Sequence, residues 1–238
     1  MKTMIHYLSD LAREAEFSLN ETQLKQFDKY RQLLVEWNEK MNLTAITEEH
    51  EVATKHFIDS LYGLKFLKNA KNLIDVGTGA GFPGLPLKIA SPTISLTLLD
   101  SLNKRLNFLN TVVDELILSD VTTVHSRAED GAAVGSNLRE SFDVAVSRAV
   151  ANLSVLCEYC MPYVKCGGVF LAYKGGDVED ELAESQNAIE TLGGEVNGIF
   201  KYTIPKTDIT HSIVVIKKIK NTPDKYPRQG GKIQKKPL

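Results

Sequence analysis

The sequence is poor in the residues that staple small folds or bind metals. Its only cysteines are Cys157, Cys160 and Cys166, and three thiolates with no nearby histidine fall short of a four-ligand zinc site. No metal is expected. Cys157 and Cys160 lie at i, i+3 in an apolar helical stretch, the placing of buried thiols, and this usage suits a reducing, cytoplasmic setting. The single tryptophan, Trp37, falls at helical spacing from Tyr30 and Leu34 and reads as core rather than as a stacking platform. Long uncharged apolar runs are missing, which excludes a membrane-spanning helix. Asp10 and Glu14, with no apolar segment around them, exclude a signal peptide. A global basic field is missing too, since 28 Lys and Arg stand against 30 Asp and Glu, for a net charge of −2.

The charge is uneven, however. From Lys217 to Leu238 there are eight basic residues (Lys217, Lys218, Lys220, Lys225, Arg228, Lys232, Lys235 and Lys236) and one acid, Asp224, so that segment carries +7 and the remainder −9. A basic, Pro- and Gly-containing tail reads equally as a mobile arm for a polyanion or as a solubilising terminus. The chain has 238 residues, 43% of them hydrophobic. That is enough for a full α/β core and one additional lobe, with a monomer expected.

Periodicity divides the chain into a helical N-terminal lobe (1–68), an α/β domain (69–220) and the basic tail (221–238). Leu24, Phe27, Tyr30, Leu34, Trp37 and Met41 recur at spacings of three and four, behind a capping box formed by Asn20 and Gln23. Asn42-Leu43-Thr44 breaks that helix, and 49–68 resumes helical character. Strands are predicted at Asn72–Val76, Ser95–Asp100, Val121–His125, Phe142–Ser147, Gly168–Tyr173, Val196–Tyr202 and Ser212–Lys217, with amphipathic helices between the first six. About ten residues around Pro205 join the last two strands. That is too few for a crossover helix, so a mostly parallel seven-stranded sheet should end in an antiparallel hairpin.

The first strand runs into Asp75-Val76-Gly77-Thr78-Gly79-Ala80-Gly81-Phe82-Pro83-Gly84. Glycines here let backbone N–H groups approach a ligand closely. Gly79-x-Gly81-x-x-Gly84 matches the dinucleotide fingerprint literally, but a carboxylate at Asp75, at the mouth of the loop, would repel a pyrophosphate, and Pro83 lacks an N–H. The same carboxylate suits the ammonium and sulfonium of S-adenosyl-L-methionine. Asp100 ends the second strand, where an acid hydrogen-bonds ribose hydroxyls in doubly wound sheets. Its alternative role, with Ser101, is to cap the helix that starts near Leu102. A final hairpin favours a class I, Rossmann-like methyltransferase over a dinucleotide enzyme.

Trp37-Asn38-Glu39-Lys40-Met41-Asn42-Leu43-Thr44, His56-Phe57-Ile58-Asp59-Ser60, the loop from Asp75 to Leu87 and Ser147-Arg148-Ala149-Val150-Ala151 together resemble the RsmG/GidB family, from about residue 20 into the tail. Its members are bacterial guanine-N7 methyltransferases of small-subunit (16S) ribosomal RNA. The resemblance implies that the methionine end of the cofactor meets Gly77, Gly79 and Phe82 and that the ribose meets Asp100. It places the adenine near Ala128 and Glu129, and closes the site with Arg148. Glu129 also reads as a helix N-terminal acid offsetting the macrodipole. The guanidinium of Arg148 suits either the cofactor carboxylate or an RNA phosphate, positioning rather than reacting.

Two reaction types are disfavoured by absence. The Asn/Asp-Pro-Pro-aromatic motif of exocyclic-amine methyltransferases is replaced by Ser147-Arg148-Ala149-Val150, and no cysteine nucleophile lies on that loop for pyrimidine-C5 chemistry. Guanine N7 needs neither device, because its lone pair is free and no proton leaves; catalysis then rests on positioning. RNA contacts are expected from local patches: Lys165, Lys174, the tail with Lys225 and Arg228, and the Asn42–His56 region, where His56 is placed to stack on a splayed base. The helical lobe would dock RNA or form a lid over the cofactor. Removing 221–238 should weaken RNA engagement and spare the cofactor. The rival classes are a NAD-linked oxidoreductase and a non-enzymatic RNA-binding protein with a vestigial fold. The substrate is open between naked 16S RNA, the small ribosomal subunit and its precursor.

Overall fold

The computed structural model describes residues 3–148, 151–229 and 231–238. Seven strands form one sheet: β1 (Asn72–Val76), β2 (Ser95–Asp100), β3 (Val121–His125), β4 (Phe142–Ser147), β5 (Val164–Gly175), β6 (Gly194–Thr203) and β7 (Thr210–Lys218). Their order is β3-β2-β1-β4-β5-β7-β6. β1 pairs in parallel with β2 on one side and with β4 on the other. The strand order therefore reverses at β1, and the crevice beyond the carboxyl ends of β1 and β4 is where such sheets receive ligands. β7 runs antiparallel between β5 and β6, from Val169↔Lys217 to Gly175↔His211 and from Gly194↔Lys218 to Thr203↔Thr210. The first four strands match their predicted bounds. The last three are longer than expected, because pairing with β7 carries β5 and β6 beyond their apolar centres.

Alternation along the strands separates two apolar layers. Val144 and Val146 of β4, with Ile213 and Val215 of β7, face one cluster, while Ala145, Val214 and Ile216 face the other. The first layer holds α1 (Met4–Glu14), α2 (Glu21–Met41), α3 (Gly84–Ala90) and α4 (Asn103–Glu115). α2 begins at the Asn20–Gln23 capping box and ends at Asn42 in the left-handed conformation. Its inward face buries Leu24, Phe27, Tyr30 and Leu34 against Leu85, Leu98, Phe108 and Leu109. The N-terminal helices thus share a core with the sheet.

After α2, a helical run over 49–66 contains a π-helical stretch, Val52–Ile58, the wider winding that recurs near functional sites. The second layer is built by α5 (Ala128–Gly131), α6 (Leu153–Cys160), α7 (Glu179–Glu184) and α8 (Gln186–Thr191), and the tail adds α9 (Lys232–Lys235). Cys157 and Cys160 are buried thiols of this layer. Among the described residues no helix is long and apolar enough to cross a membrane.

Candidate active site

The loop after β1 is shaped by glycine in two ways. Gly77 takes φ +72°, a conformation that L side chains rarely adopt, and a Cβ there would meet nothing within 4 Å. Gly84 is needed for closeness, since a Cβ would come 2.8 Å from Asp75 Oδ2. Gly84 N and Thr78 Oγ1 both donate to that oxygen, each at 2.8 Å. Asp75 is therefore fully buried beneath the loop, not at its mouth as the sequence suggested. Two donors inside the turn draw the carboxylate inward. Its Oδ1 has no hydrogen-bond partner, and burial pushes the carboxyl up to about 6.

Beyond the strand ends lies a cavity of about 380 Å³. Gly77, Asp100, Ser101, Ala128 and Glu129 line it, together with Ser147 at the end of β4 and Leu156, Tyr159 and Cys160 of α6. Asp100 combines both roles read from the sequence. Its Oδ1 accepts from Leu102 N at 2.9 Å, and its Oδ2 accepts from Gly79 N at 2.9 Å and Arg105 Nη1 at 3.3 Å. An ionised carboxylate offers about four acceptor positions, so one is left for a ligand hydroxyl. Open space at Gly77 and spare capacity at Asp100 fit a nucleoside. Burial holds the Cys160 thiol well above its ordinary pKa. A thiol so held is no nucleophile.

Four of the residues assigned to the cofactor from the sequence stand back from this cavity. Asp75 and Gly79 brace the loop, while Phe82 and Arg148 pack beside it. Phe82 is stacked at 4.5 Å on His56 and at 5.4 Å on Tyr30, with the Arg148 guanidinium 5.0 Å from its ring centroid.

Arg148 is the hub of a second arrangement. It donates to Asp59 Oδ2 at 2.7 Å, to Lys55 O at 3.3 Å and to His56 Nδ1 at 3.3 Å. With Nδ1 accepting, His56 is the tautomer that donates from Nε2 to Thr44 Oγ1 at 2.9 Å. Burial and then Arg148 push its pKa down to about 3, so the ring is neutral. One face of the His56 ring, read from the sequence as placed to stack on a splayed base, already covers Phe82. Asp59 also accepts from Tyr202 Oη at 2.8 Å and from His211 Nδ1 at 2.7 Å. Burial raises the Asp59 carboxyl, but His211 and Arg148 more than offset it and hold the group below its ordinary range.

Asp59, Arg148 and His211 border a second cavity of about 350 Å³ with Tyr173, Lys174, Gly175 and Glu181. It adjoins the first through consecutive residues, since Ser147 lines one and Arg148 the other. Ala149 and Val150 lie outside the described residues. Sequence reasoning assigned no role to Asp59, Tyr202 or His211, and only the His56–Ser60 motif pointed near them.

The other basic candidates differ in freedom. Lys165 is half-exposed and paired with Asp143. Lys174 donates to Ala151 O and Glu181 Oε1, both at 2.8 Å. Lys225 is exposed beside the Tyr226 ring. Arg228 is not offered outward. It forks onto the buried Glu158, with Nε 2.9 Å from Oε1 and Nη2 2.5 Å from Oε2, and this pairing raises its pKa. The tail is thus docked rather than a mobile arm. Tyr226 and Ile233 are buried, and Lys218 is fully enclosed between Met161 O, Thr222 Oγ1 and Glu140.

Comparison with known proteins bears on the family and the fold. The GidB family, described as rRNA small subunit methyltransferase G, matches residues 23–210. Ribosomal RNA small subunit methyltransferase G of Clostridium botulinum strain Eklund 17B is 55% identical over 229 residues, 95% of each chain. The protein of that name from Alkaliphilus metalliredigens is 54% identical over 233 residues, 97% of each chain. Among solved structures, M. jannaschii TYW2 in complex with AdoMet superposes with a TM-score of 0.54 at 14% identity, covering 68% of this chain and 76% of that one. YcgJ from Bacillus subtilis does so with a TM-score of 0.51 at 13% identity, covering 69% and 99%. These two likenesses concern the fold. With more than half its residues shared with those relatives across almost the whole length, the chain belongs to the GidB family, rRNA small subunit methyltransferase G.

Proposed function

We propose that the protein transfers a methyl group from S-adenosyl-L-methionine to N7 of a guanine in 16S ribosomal RNA, within the small ribosomal subunit or its precursor, in the cytoplasm. The observation that carries this reading is the pair of adjoining cavities at the reversal of strand order. One presents Gly77 and Asp100, and the other is walled by Arg148. The first takes the cofactor, with Asp100 toward the ribose and Ala128 and Glu129 toward the adenine. The second takes the acceptor base.

When bound, S-adenosyl-L-methionine supplies an electrophilic methyl group on a sulfonium. Methylation at N7 would use a lone pair that is already free and would release no proton. The protein therefore needs no general base. His56 is held neutral with both ring nitrogens engaged, and Asp59 is occupied by Arg148, Tyr202 and His211. Arg148 is a positioning residue between the two cavities. Lys225, which is exposed, and Lys165, which is half-exposed, supply phosphate contacts around an otherwise acidic body.

The test is methyl transfer from radiolabelled cofactor to small subunits and to naked 16S RNA, with N7-specific strand cleavage as the readout. Label at N7 of one guanine supports the reading. Retention of NAD with no binding of S-adenosyl-L-methionine would support the oxidoreductase alternative instead.

A further inference from the structure

The first cavity has a wall that the sheet and its helices do not supply. Gly231 and Gln234, from the tail, line it together with Ala128, Glu129 and Tyr159. These residues arrive there through a series of anchors. The Arg139 guanidinium gathers the carbonyls of Thr222 at 2.7 Å and Tyr226 at 2.9 Å, turning the chain back across the second layer. Arg228 then locks onto Glu158 of α6 through four hydrogen bonds of 2.5–3.1 Å, one of them from its backbone N–H. Gln229 Nε2 donates to Glu129 O at 2.8 Å, tying the tail to α5, whose Ala128 and Glu129 line the cavity. Past that point Ile233 is 1% exposed, an apolar peg that seats α9 against the body, and Gln234 lies beside the Tyr159 hydroxyl.

We propose that Gly231 and Gln234 form the outer wall of the cofactor cavity and that Gln234 is a cofactor-binding residue on its adenine side. This rests on assigning the first cavity to S-adenosyl-L-methionine. A primary amide carries a donor and an acceptor on one plane, the complement of an adenine edge with its exocyclic N–H₂ and adjacent ring nitrogen. Tyr159 supplies an aromatic ring on the same side of the cavity. The exposed lysines of this segment, Lys232, Lys235 and Lys236, sit on the outer surface of the wall. They can meet a polyanion without giving up the inner contacts. Removing the tail therefore weakens cofactor binding, contrary to the sequence-based expectation that the cofactor is spared.

Calorimetry with S-adenosyl-L-methionine and S-adenosylhomocysteine tests this on four proteins: the full chain, a truncation after Gln229, Gln234→Ala, and a Lys232→Gln/Lys235→Gln/Lys236→Gln variant. The truncation keeps the Arg228–Glu158 lock, so the ligand-free melting temperature reports whether the body is intact. The expected result is an affinity loss of at least about tenfold for both ligands in the truncation, and a smaller loss of several-fold for Gln234→Ala, the scale of one or two ligand hydrogen bonds. The lysine variant should bind as the full chain does. An intact truncation that binds both ligands like the full chain overturns the proposal. A full chain that binds neither ligand overturns instead the assignment of the cavity. Weakened binding in Asp100→Ala alongside normal binding in the truncation keeps that assignment and removes only the tail from it.

Discussion

Arg148 Nη1 lies 2.7 Å from Asp59 Oδ2, an ion pair between residues 89 positions apart that joins the end of β4 to the helical run preceding the sheet. Asp59 is the more deeply buried partner, at 1% exposure, and serves Tyr202 and His211 as well. Asp59→Ala would leave three donors without their acceptor. Removing one partner of such a buried pair costs about 3 kcal/mol, and a shift of that size should be measured by chemical denaturation. Arg148→Lys keeps the charge but cannot reach Asp59, His56 and Lys55 O together. Its methyl-transfer rate on small subunits should fall about tenfold to a hundredfold, with cofactor affinity changed far less. An equal loss in both would place Arg148 on the cofactor instead.

Gly77→Val tests the loop. An added Cβ meets no protein atom within 4 Å but stands where the cavity opens, at a backbone angle that a β-branched residue resists at about 1–3 kcal/mol. The variant should fold, with a native circular dichroism spectrum and a lowered melting temperature, and show no calorimetric binding of S-adenosyl-L-methionine. Unchanged affinity in the folded variant would move the site elsewhere.

Asp100→Ala should weaken the cofactor and its demethylated product alike, by about 1.5–3 kcal/mol, because ribose is common to both. The same carboxylate also holds Gly79 N and Leu102 N, so an additional loss of stability is expected from thermal melts. If only one of the two ligands weakens, Asp100 does not contact the ribose.

Much of the fold is legible in the amino-acid sequence alone. The first four strands, the reversed last strand, the Asn20 capping box and the acid at Asp100 follow from local patterns, because period, turn chemistry and a missing crossover are written in neighbouring residues. The depth of Asp75 is not. Alternation tells which way a strand residue faces, but not that Thr78 and Gly84 close over it. The Asp59–His211 contact spans 152 positions and leaves no local trace. In the tail, Lys, Pro and Gly dominate the composition and mask four anchors, Thr222, Tyr226, Arg228 and Ile233, that dock it. Lys218 is hidden for the same reason: a lysine near a basic terminus reads as exposed, yet three partners enclose it.

Asp75 gives a pH signature. Its folded pKa, raised by burial to about 6, exceeds the unfolded value near 3.9. The native state therefore binds the extra proton, so this group's contribution is full below about pH 4 and is lost as pH rises through about 6. Between pH 7 and pH 5 it should add about 1 kcal/mol to the stability of the ligand-free protein. Urea unfolding of the wild type and Asp75→Asn at both pH values isolates the effect, since the difference between the two proteins should change by that amount. A pH-independent difference would mean that the carboxyl titrates normally.

The central claim is that this chain methylates guanine N7 in 16S ribosomal RNA. Mapping N7-methylguanosine along that RNA, from cells with the protein, without it, and with Gly77→Val in its place, tests the claim most directly. The account predicts one modified guanine that is lost without the protein and not restored by the variant. The same N7-methylation pattern in all three would contradict it.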